Sequence, residues 1–396
     1  MSFVLFIYIL AALFSFFILG ILIGAVFYEP VREKIIAAFR FWRVAPKLHR
    51  SSLNPILMPG LHPWTAEAVI NPAALILDGR THLVYRAIGS DGVSRLGYAS
   101  SPDGVTFDDR LPYPAYAATN PGGVSEHRRR YSPVMYPSGG SWGGCEDPRM
   151  VAIDGKVYVT FNMFDNWNLR IGAIFMDEAD FLAKRFWRWK GPFILSGGKQ
   201  NKNNLPWSSK NRDKNWMLFP EKIGGRFAVL HTVIDEDPDR VGVVYVDSLE
   251  DLPEQEFDTV DPQKFHDQKI AWHIRVRSAG PPPIKTDRGW LVLYHAHDTE
   301  GSRYKLGAML LDLLDPARVL HRAQAPVLVP DADYENDGKP GVIYACGATE
   351  KDGMLHVYYG GADKVVCVAS APLGIFLDEL ISGASPELAE QEAQEA

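Results

Sequence analysis

The residues best suited to chemistry lie close together in one segment, Trp142–Arg149. In this segment a pair of glycines is followed by Glu146, Asp147 and Pro148. Two adjacent carboxylates beside an arginine give one acid an ion-pair partner and leave the other able to transfer a proton. Glycine lets the backbone approach a ligand closely, and proline stiffens the loop. The same pattern would suit a salt-bridged brace between loops, so the segment alone leaves both interpretations open.

Polar residues also stand where five apolar strands end. If these strands surround one axis, their ends converge at the mouth of a central channel, where a ligand binds in a β-propeller. We therefore predict a site built from several distant parts of the chain. An alternative is that some of these side chains only pair with backbone groups. The residues are Arg86, Asn162, His231, His295 and Asp363.

Composition and motifs exclude several other functions. The 41 Lys and Arg residues against 48 Asp and Glu give a net charge of -7, so no basic surface is predicted for nucleic acid. The histidines are scattered, and no cluster of His, Asp and Glu has metal-ligand spacing, so no metal is expected. The chain has no Gly-rich P-loop. Its three cysteines form no Cys-x-x-Cys pair and are interpreted as buried free thiols.

A two-strand pattern recurs five times and predicts the elements that position these residues. Each repeat begins with a Gly-containing turn and an apolar strand, and continues with a second strand that has a small residue at its centre. Five such units of about 65 to 75 residues suit a five-bladed β-propeller, whereas a β-sandwich would not explain the repetition. The turn glycines are Gly79, Gly155, Gly225, Gly289 and Gly353, and the small residues are Gly97, Gly172, Gly242, Gly307 and Cys367.

The first 28 residues carry no charged side chain and exceed the about 20 residues that cross a bilayer. They predict a single transmembrane helix, because a cleaved signal peptide would need a basic start and a small-residue cleavage site. Basic residues then dominate up to Arg50, so the positive-inside rule places the remainder in the cytoplasm, as a single-pass, membrane-anchored protein.

The sequence thus predicts four regions. Residues 1–28 form the anchor. Residues 29–50 form a basic linker helix that lies along the membrane or is solvated. Residues 51–380 form an all-β, five-bladed β-propeller, and residues 381–396 form an acidic tail.

Eight short motifs together resemble glycoside hydrolase family 130, in order and position, over residues 53 to 375. The resemblance implies a five-bladed β-propeller that acts on β-mannosides. Members of this family are mostly inverting phosphorylases that yield mannose 1-phosphate, and a minority hydrolyse. The motifs are Asn54–Leu57, Asn71–Ala74, Tyr85–Ala87, Gly143–Arg149, Leu218–Lys222, Gly280–Lys285, Tyr294–His295 and Tyr358–Asp363.

Carried over position by position, the resemblance implies that Asp147 is the general acid. In the family's phosphorylases its proton is thought to reach the glycosidic oxygen through a hydroxyl of the mannose. Lys214 and, less directly, Arg170 would receive phosphate, which is then a co-substrate, and no other cofactor is implied. The residues implied to bind the mannoside are Asn71, Arg86, Glu146, Arg149, His231, His295 and Asp363.

The chain departs from the family pattern after His231. The family's phosphorylases usually carry an arginine there, whereas this chain has Thr232. Phosphorolysis needs one acid and a cationic pocket for phosphate, and hydrolysis needs a second carboxylate to activate water. Lys214 favours a β-mannoside phosphorylase. The first alternative is an inverting β-mannosidase that uses Glu221 or another carboxylate as base, and the second is a propeller that binds glycans without turnover.

Overall fold

The structure of the protein is a computed structural model. It describes residues 46–118, 130–136, 138–164, 169–195, 214–233, 240–249, 272–298 and 303–383. By internal contacts, residues 1–45 and 46–396 form separate units. All described strands belong to the second unit.

The described strands form four sheets, and the largest, of eight strands, contains two units joined by a short parallel pairing. Five mainly antiparallel units therefore follow one another along the chain. The first strand, β1 (His49–Arg50), belongs to the last unit. The first unit contains β2 (Ala68–Leu77), β3 (Arg80–Ile88), β4 (Val93–Ser101) and β5 (Asp109–Arg110), and the second contains β6 (Gly143–Ile153), β7 (Lys156–Phe164), β8 (Leu169–Asp177) and β9 (Lys190–Ile194). The third contains β10 (Met217–Leu218), β11 (Phe227–Val233) and β12 (Arg240–Val246). The fourth contains β13 (His273–Ala279), β14 (Ile284–Thr286), β15 (Gly289–Asp298), β16 (Tyr304–Leu311) and β17 (Val319–Arg322). The fifth contains β18 (Ile343–Lys351), β19 (Met354–Gly361) and β20 (Val365–Pro372).

Neighbouring units touch in cyclic order, and the fifth returns to the first through β18 and β2. Strand β1 completes the fifth unit by pairing with β20. An ion pair fixes this closure: Arg50 donates from Nε and Nη2 to the two carboxylate oxygens of Glu335, each at 2.8 Å. The hydroxyl of Tyr359 also donates to Glu335, at 2.8 Å. The start of the described chain therefore holds its last blade in place.

The repeated small residues have a common structural reason. In each unit the small residue lies directly opposite an aromatic or histidine side chain of the preceding strand, as Gly97 does to Tyr85 and Gly307 to Tyr294. A Cβ on Gly97 would lie 2.3 Å from the Tyr85 ring, and one on Gly307 would lie 2.3 Å from the Tyr294 ring. The ring occupies the place of the missing side chain, so the pair packs only when one member is small. The other pairs are Phe161 with Gly172, His231 with Gly242, and Tyr359 with Cys367.

The prediction of a transmembrane helix ahead of the propeller needs correction. Among the described residues, no helix is long and apolar enough to cross a bilayer. The two described α-helices are α1 (Glu178–Leu182) and α2 (Leu373–Ser382). Residues 1–28, where the anchor was predicted, lie outside the described part of the chain, as do residues 384–396 of the tail. The linker helix predicted for residues 29–50 does not extend to its end, because His49 and Arg50 form β1. The localisation stays a prediction.

The glycine–aromatic pairing predicts the effect of one added methyl group. Gly307→Ala forces a Cβ against the Tyr294 ring, whose hydroxyl accepts a hydrogen bond from Arg322 Nε at 3.2 Å. We expect the free energy of unfolding to fall by about 1–3 kcal/mol, the usual cost of overpacking a core. Denaturant unfolding of the full chain measures it.

Gly374→Ala is the matched control. Gly374 lies near the start of α2, and an added Cβ would meet nothing within 4 Å. This substitution should leave the unfolding free energy unchanged or raise it, since alanine favours helices. Equal stability of the Gly307→Ala variant and the native chain would contradict this explanation of the repeat.

Candidate active site

The first strands of neighbouring units carry the same irregularity, and it positions the two central side chains. In β2 the pairing shifts between Ile70 and Ala73, and in β6 it shifts between Glu146 and Arg149. The extra residues in these bulges include Asn71, with φ of 49°, and Asp147, with φ of 51°. Such bulges re-aim side chains. Asn71 Nδ2 donates to Asp147 Oδ1 at 2.7 Å, so two bulges from neighbouring blades meet directly.

Close approach of the fifth blade supports this contact. A Cβ on Gly360 would lie 2.1 Å from Oδ1 of Asn71, so any larger residue at that position would displace the amide. This oxygen is buried and has no hydrogen-bond partner among the described residues. An unpartnered buried acceptor is costly unless a ligand satisfies it. The amide nitrogen of Asn71 is thus bonded to Asp147, whereas the amide oxygen is available to accept a hydrogen bond from a ligand.

Asp147 is a buried carboxylate among cations. Arg86 Nη1 donates to its Oδ1 at 3.2 Å, and the charges of Arg149 and Lys214 also act on it. Burial alone would raise the pKa of Asp147. The guanidinium groups of Arg86 and Arg149, the hydrogen bond from Asn71 and the charge of Lys214 outweigh burial and hold this pKa below its ordinary value. The unliganded site therefore favours the carboxylate form of Asp147.

Glu146 lies against Arg86 and is held there by two serines. Its side chain has no exposed surface, and its Oε1 accepts from Arg86 Nη2 at 2.9 Å. Ser141 donates to Oε1 at 3.0 Å, and Ser138 donates to Oε2 at 2.7 Å. The structure thus places Glu146 where it holds Arg86, whereas the resemblance implied a contact with substrate.

Arg86 itself is bound on every side. Its Nε donates to Ser94 Oγ at 2.9 Å, and its Nη2 donates to the carbonyl of Ser138 at 2.7 Å. Strand β6 can lie against Ser94 because Gly144, with φ of 115°, has no Cβ: one built there would lie 2.1 Å from the Ser94 carbonyl oxygen. Gly144 therefore serves close backbone packing.

A second buried arginine links Asp147 to the third and fifth blades. Arg149 Nη1 donates to the backbone carbonyl of Asp147 at 2.6 Å and to Asn215 Oδ1 at 2.9 Å. Asn215, with φ of 63°, in turn donates from Nδ2 to the Tyr344 hydroxyl at 2.8 Å. Arg149 Nη2 is buried without a hydrogen-bond partner among the described residues. This nitrogen can donate a hydrogen bond to a ligand, just as the unpartnered Oδ1 of Asn71 can accept one.

His295 was predicted to bind the substrate, and the structure gives it a supporting place. Its Nε2 accepts from the backbone N–H of Ala345 at 2.9 Å, and its Nδ1 lies 3.2 Å from Ser278 Oγ. The ring stacks on Tyr344 with centroids 4.1 Å apart. Burial and the charge of Arg149 lower the pKa of His295 to about 3, so it is neutral and adds no cation to the site.

Three further predicted residues, Asp363, His231 and Arg170, differ in how they relate to this cluster. Asp363 carries a charge felt by Arg86 and pairs with Lys339 Nζ at 3.4 Å. His231 is buried against Trp216, with ring centroids 5.0 Å apart. Arg170, predicted to bind phosphate, is the second residue of β8 and has an exposed side chain, and among the described residues no contact joins it to the cluster.

The sequence analysis left several residues of the cluster without a role. Asn215 and Tyr344 connect Arg149 to two other blades, and Ser138 and Ser141 hold Glu146. The repetition of a polar residue before proline in β2 and β6 marks only Asn71 and Asp147, which were already predicted. No comparable signal marks Ser138.

This arrangement has a definite chemical capacity. A buried carboxyl group that can transfer a proton lies beside cations that can hold an anion. An open amide oxygen and an open guanidinium nitrogen can bind hydroxyl groups. No cluster of three or more metal-ligating side chains occurs in the described part of the chain. The site therefore suits transfer between a polyhydroxylated molecule and an anion.

Comparison with known proteins agrees with this capacity. The family model described as beta-1,4-mannooligosaccharide phosphorylase matches residues 60–380. A 1,2-beta-oligomannan phosphorylase of Thermoanaerobacter sp. strain X514 is 34% identical over 82% of this chain and 96% of that protein. A beta-1,2-mannobiose phosphorylase of the same organism is 31% identical over the same shares. The crystal structure of the beta-1,2-mannobiose phosphorylase of Listeria innocua with beta-1,2-mannobiose covers 84% of this chain and 99% of that chain, with a TM-score of 0.61 and 22% identity, which shows a common fold. The chain belongs to glycoside hydrolase family 130.

Proposed function

We propose that this protein cleaves β-mannosidic bonds with inorganic phosphate and releases mannose 1-phosphate. The observation that carries the proposal is the position of Asp147, a buried acid hydrogen-bonded by Asn71 and Arg86 within the field of Arg149 and Lys214. One acid with basic neighbours suits phosphorolysis, because phosphate itself is the nucleophile and no protein base is needed. The two curated relatives are phosphorylases by name, which supports the same reaction.

In the proposed reaction Asp147 is the general acid. The bond between C1 of the mannosyl group and the glycosidic oxygen breaks, and that oxygen receives the proton of Asp147, directly or through a mannose hydroxyl. An oxygen of hydrogen phosphate bonds to C1 from the opposite face, so the β-linkage becomes an α-phosphate. The proton left on the new phosphate ester returns to Asp147.

The open polar atoms supply the binding contacts in this proposal. Oδ1 of Asn71 accepts from a mannose hydroxyl and Nη2 of Arg149 donates to another, while Lys214 pairs with phosphate. Asp363 and His231 complete the wall of the mannose site. Arg170 is a weaker candidate for phosphate, since its side chain is exposed.

Phosphate also helps to explain how Asp147 holds a proton. The surrounding cations keep the pKa of this carboxyl low in the unliganded site. A phosphate dianion beside Lys214 offsets part of that positive charge and raises the pKa of Asp147. Bound phosphate thus makes protonated Asp147 available when the nucleophile is present.

Hydrolysis is less well supported. The base suggested for it, Glu221, is half-exposed and pairs with Lys285 Nζ at 2.6 Å. Glu146 is fully buried and both of its oxygens accept hydrogen bonds. Thr232 in place of the family's arginine removes one cation, but the charge of Lys214 still acts on Asp147.

Because two relatives carry β-1,2 linkages in their names, β-1,2-mannobiose and longer β-1,2-mannans are the proposed substrates.

Phosphate dependence tests the reaction class. The full chain is incubated with β-1,2- and β-1,4-mannosides, with and without inorganic phosphate, and the products are separated by ion-exchange chromatography. We expect mannose 1-phosphate only when phosphate is present, with faster turnover of the β-1,2 series. Free mannose at equal rates in both conditions would establish a hydrolase instead.

Asp147→Asn tests the acid. An amide cannot give the proton, so kcat should fall on the order of 10²- to 10⁴-fold while mannose binding persists. Asp154→Asn is the matched control, because Asp154 shares the positive φ, 51°, but lies on the surface and pairs with Lys222. Native activity in the Asp147→Asn variant would remove Asp147 from this role.

A further inference from the structure

The proposed reaction gives no role to Glu146, the second carboxylate of the segment Trp142–Arg149. Glu146 has no exposed surface, yet it lies next to the acid in the chain and shares a partner with it. Arg86 donates from Nη2 to Glu146 at 2.9 Å and from Nη1 to Asp147 at 3.2 Å. One guanidinium therefore bridges two buried carboxylates through different nitrogens.

Glu146 is held more firmly than Asp147. It accepts three hydrogen bonds, from Arg86, Ser138 and Ser141, and none of its polar atoms faces solvent. The carboxylate thus lies in an ion pair, with its charge set directly against the guanidinium. The nearest cation that this charge can neutralise is Arg86.

The charge on Arg86 decides how strongly it holds Asp147 in the ionised form. An unneutralised guanidinium in a buried site would favour the carboxylate of Asp147 and oppose its protonation. A neutralised guanidinium still orients Asp147 by its hydrogen bond but opposes protonation less. The acid needs that orientation and also needs its proton.

We propose that Glu146 is a positioning residue whose buried negative charge neutralises Arg86 and so allows Asp147 to hold the proton that it gives to the glycosidic oxygen. This inference rests on the proposed function, because it assigns a purpose to Glu146 only if Asp147 is the acid.

Other charged and titratable groups around Asp147 belong to β6 itself and to four further elements, and they stay the same in the test below. They act on Asp147 in the native chain and in each variant alike, so a difference between variants isolates Glu146. These groups are Arg149 on β6, Lys214 before β10, His295 on β15, Tyr344 and Cys346 on β18, and Asp363 after β19, which acts on Arg86.

Glu146→Gln tests the inference through the pH profile of kcat at saturating phosphate and mannoside. Activity requires protonated Asp147, so it is lost as the pH rises through the pKa of the complex. Removing the charge of Glu146 should move this alkaline limb down by about one pH unit, which lowers kcat on the alkaline side about tenfold. The ionisation of phosphate is the same in both measurements, so it does not contribute to the difference between the two pH profiles.

Ser138→Ala is the companion variant. Ser138 Oγ donates to Glu146 Oε2 at 2.7 Å, and its removal leaves both charges in place, while the Ser138 carbonyl still accepts from Arg86. The alkaline limb should stay at its native position or move up, because Glu146 then neutralises Arg86 at least as strongly. Since Ser138 lies at the edge of the cluster, this variant gives a result even where Glu146→Gln does not fold, as judged by thermal melting.

Two results would overturn the inference. One is a uniform loss of kcat in Glu146→Gln at every pH, which indicates support of the fold alone. The other is a downward shift of the limb in Ser138→Ala. Failure of the proposed function is distinguishable, because it would appear as retained activity in Asp147→Asn whatever Glu146 does.

Discussion

The buried ion pair between Asp147 and Arg86 is the interaction on which the rest of the site depends. Isolated charges are expensive to bury, and they persist only with partners that satisfy them. Here two carboxylates, Asp147 and Glu146, face two guanidinium groups, those of Arg86 and Arg149. The charge of Lys214 also acts on Asp147, and an anionic co-substrate can pair with such a cation.

The backbone enforces this balance through repeated geometry. Equivalent bulges in β2 and β6 hold Asn71 and Asp147 at positive φ, which residues other than glycine adopt at a cost of order 1–3 kcal/mol. The surrounding sheets repay that cost by packing, in which each blade fits a ring over a glycine or cysteine. Gly360 then brings the fifth blade against Asn71. The tight packing of the blades therefore stabilises the strained backbone at the centre.

The sequence could predict the strands because each repeat carries its own local signals. A turn glycine, an apolar run and a small residue at fixed spacing reflect contacts within one blade. It could not predict that Glu146 is held by Arg86, Ser138 and Ser141, or that His295 is a neutral support for Tyr344, because those outcomes depend on contacts between distant parts of the chain. Adjacent acids in a sequence point to opposite faces of a strand only if the strand is regular, and the bulge after Glu146 changes this relation. The predicted membrane helix rested on composition alone, and no described helix supports it.

A crystal structure of the protein with mannose and inorganic phosphate bound tests the central claim most directly. The account predicts a mannose ring within hydrogen-bond distance of Asn71 Oδ1 and the carboxyl of Asp147, with phosphate beside Lys214 on the far side of the ring. Arg86 should still bridge Asp147 and Glu146 in that complex. A sugar bound away from Asp147, or an Arg86 turned from Asp147 towards phosphate, would contradict the charge balance described here.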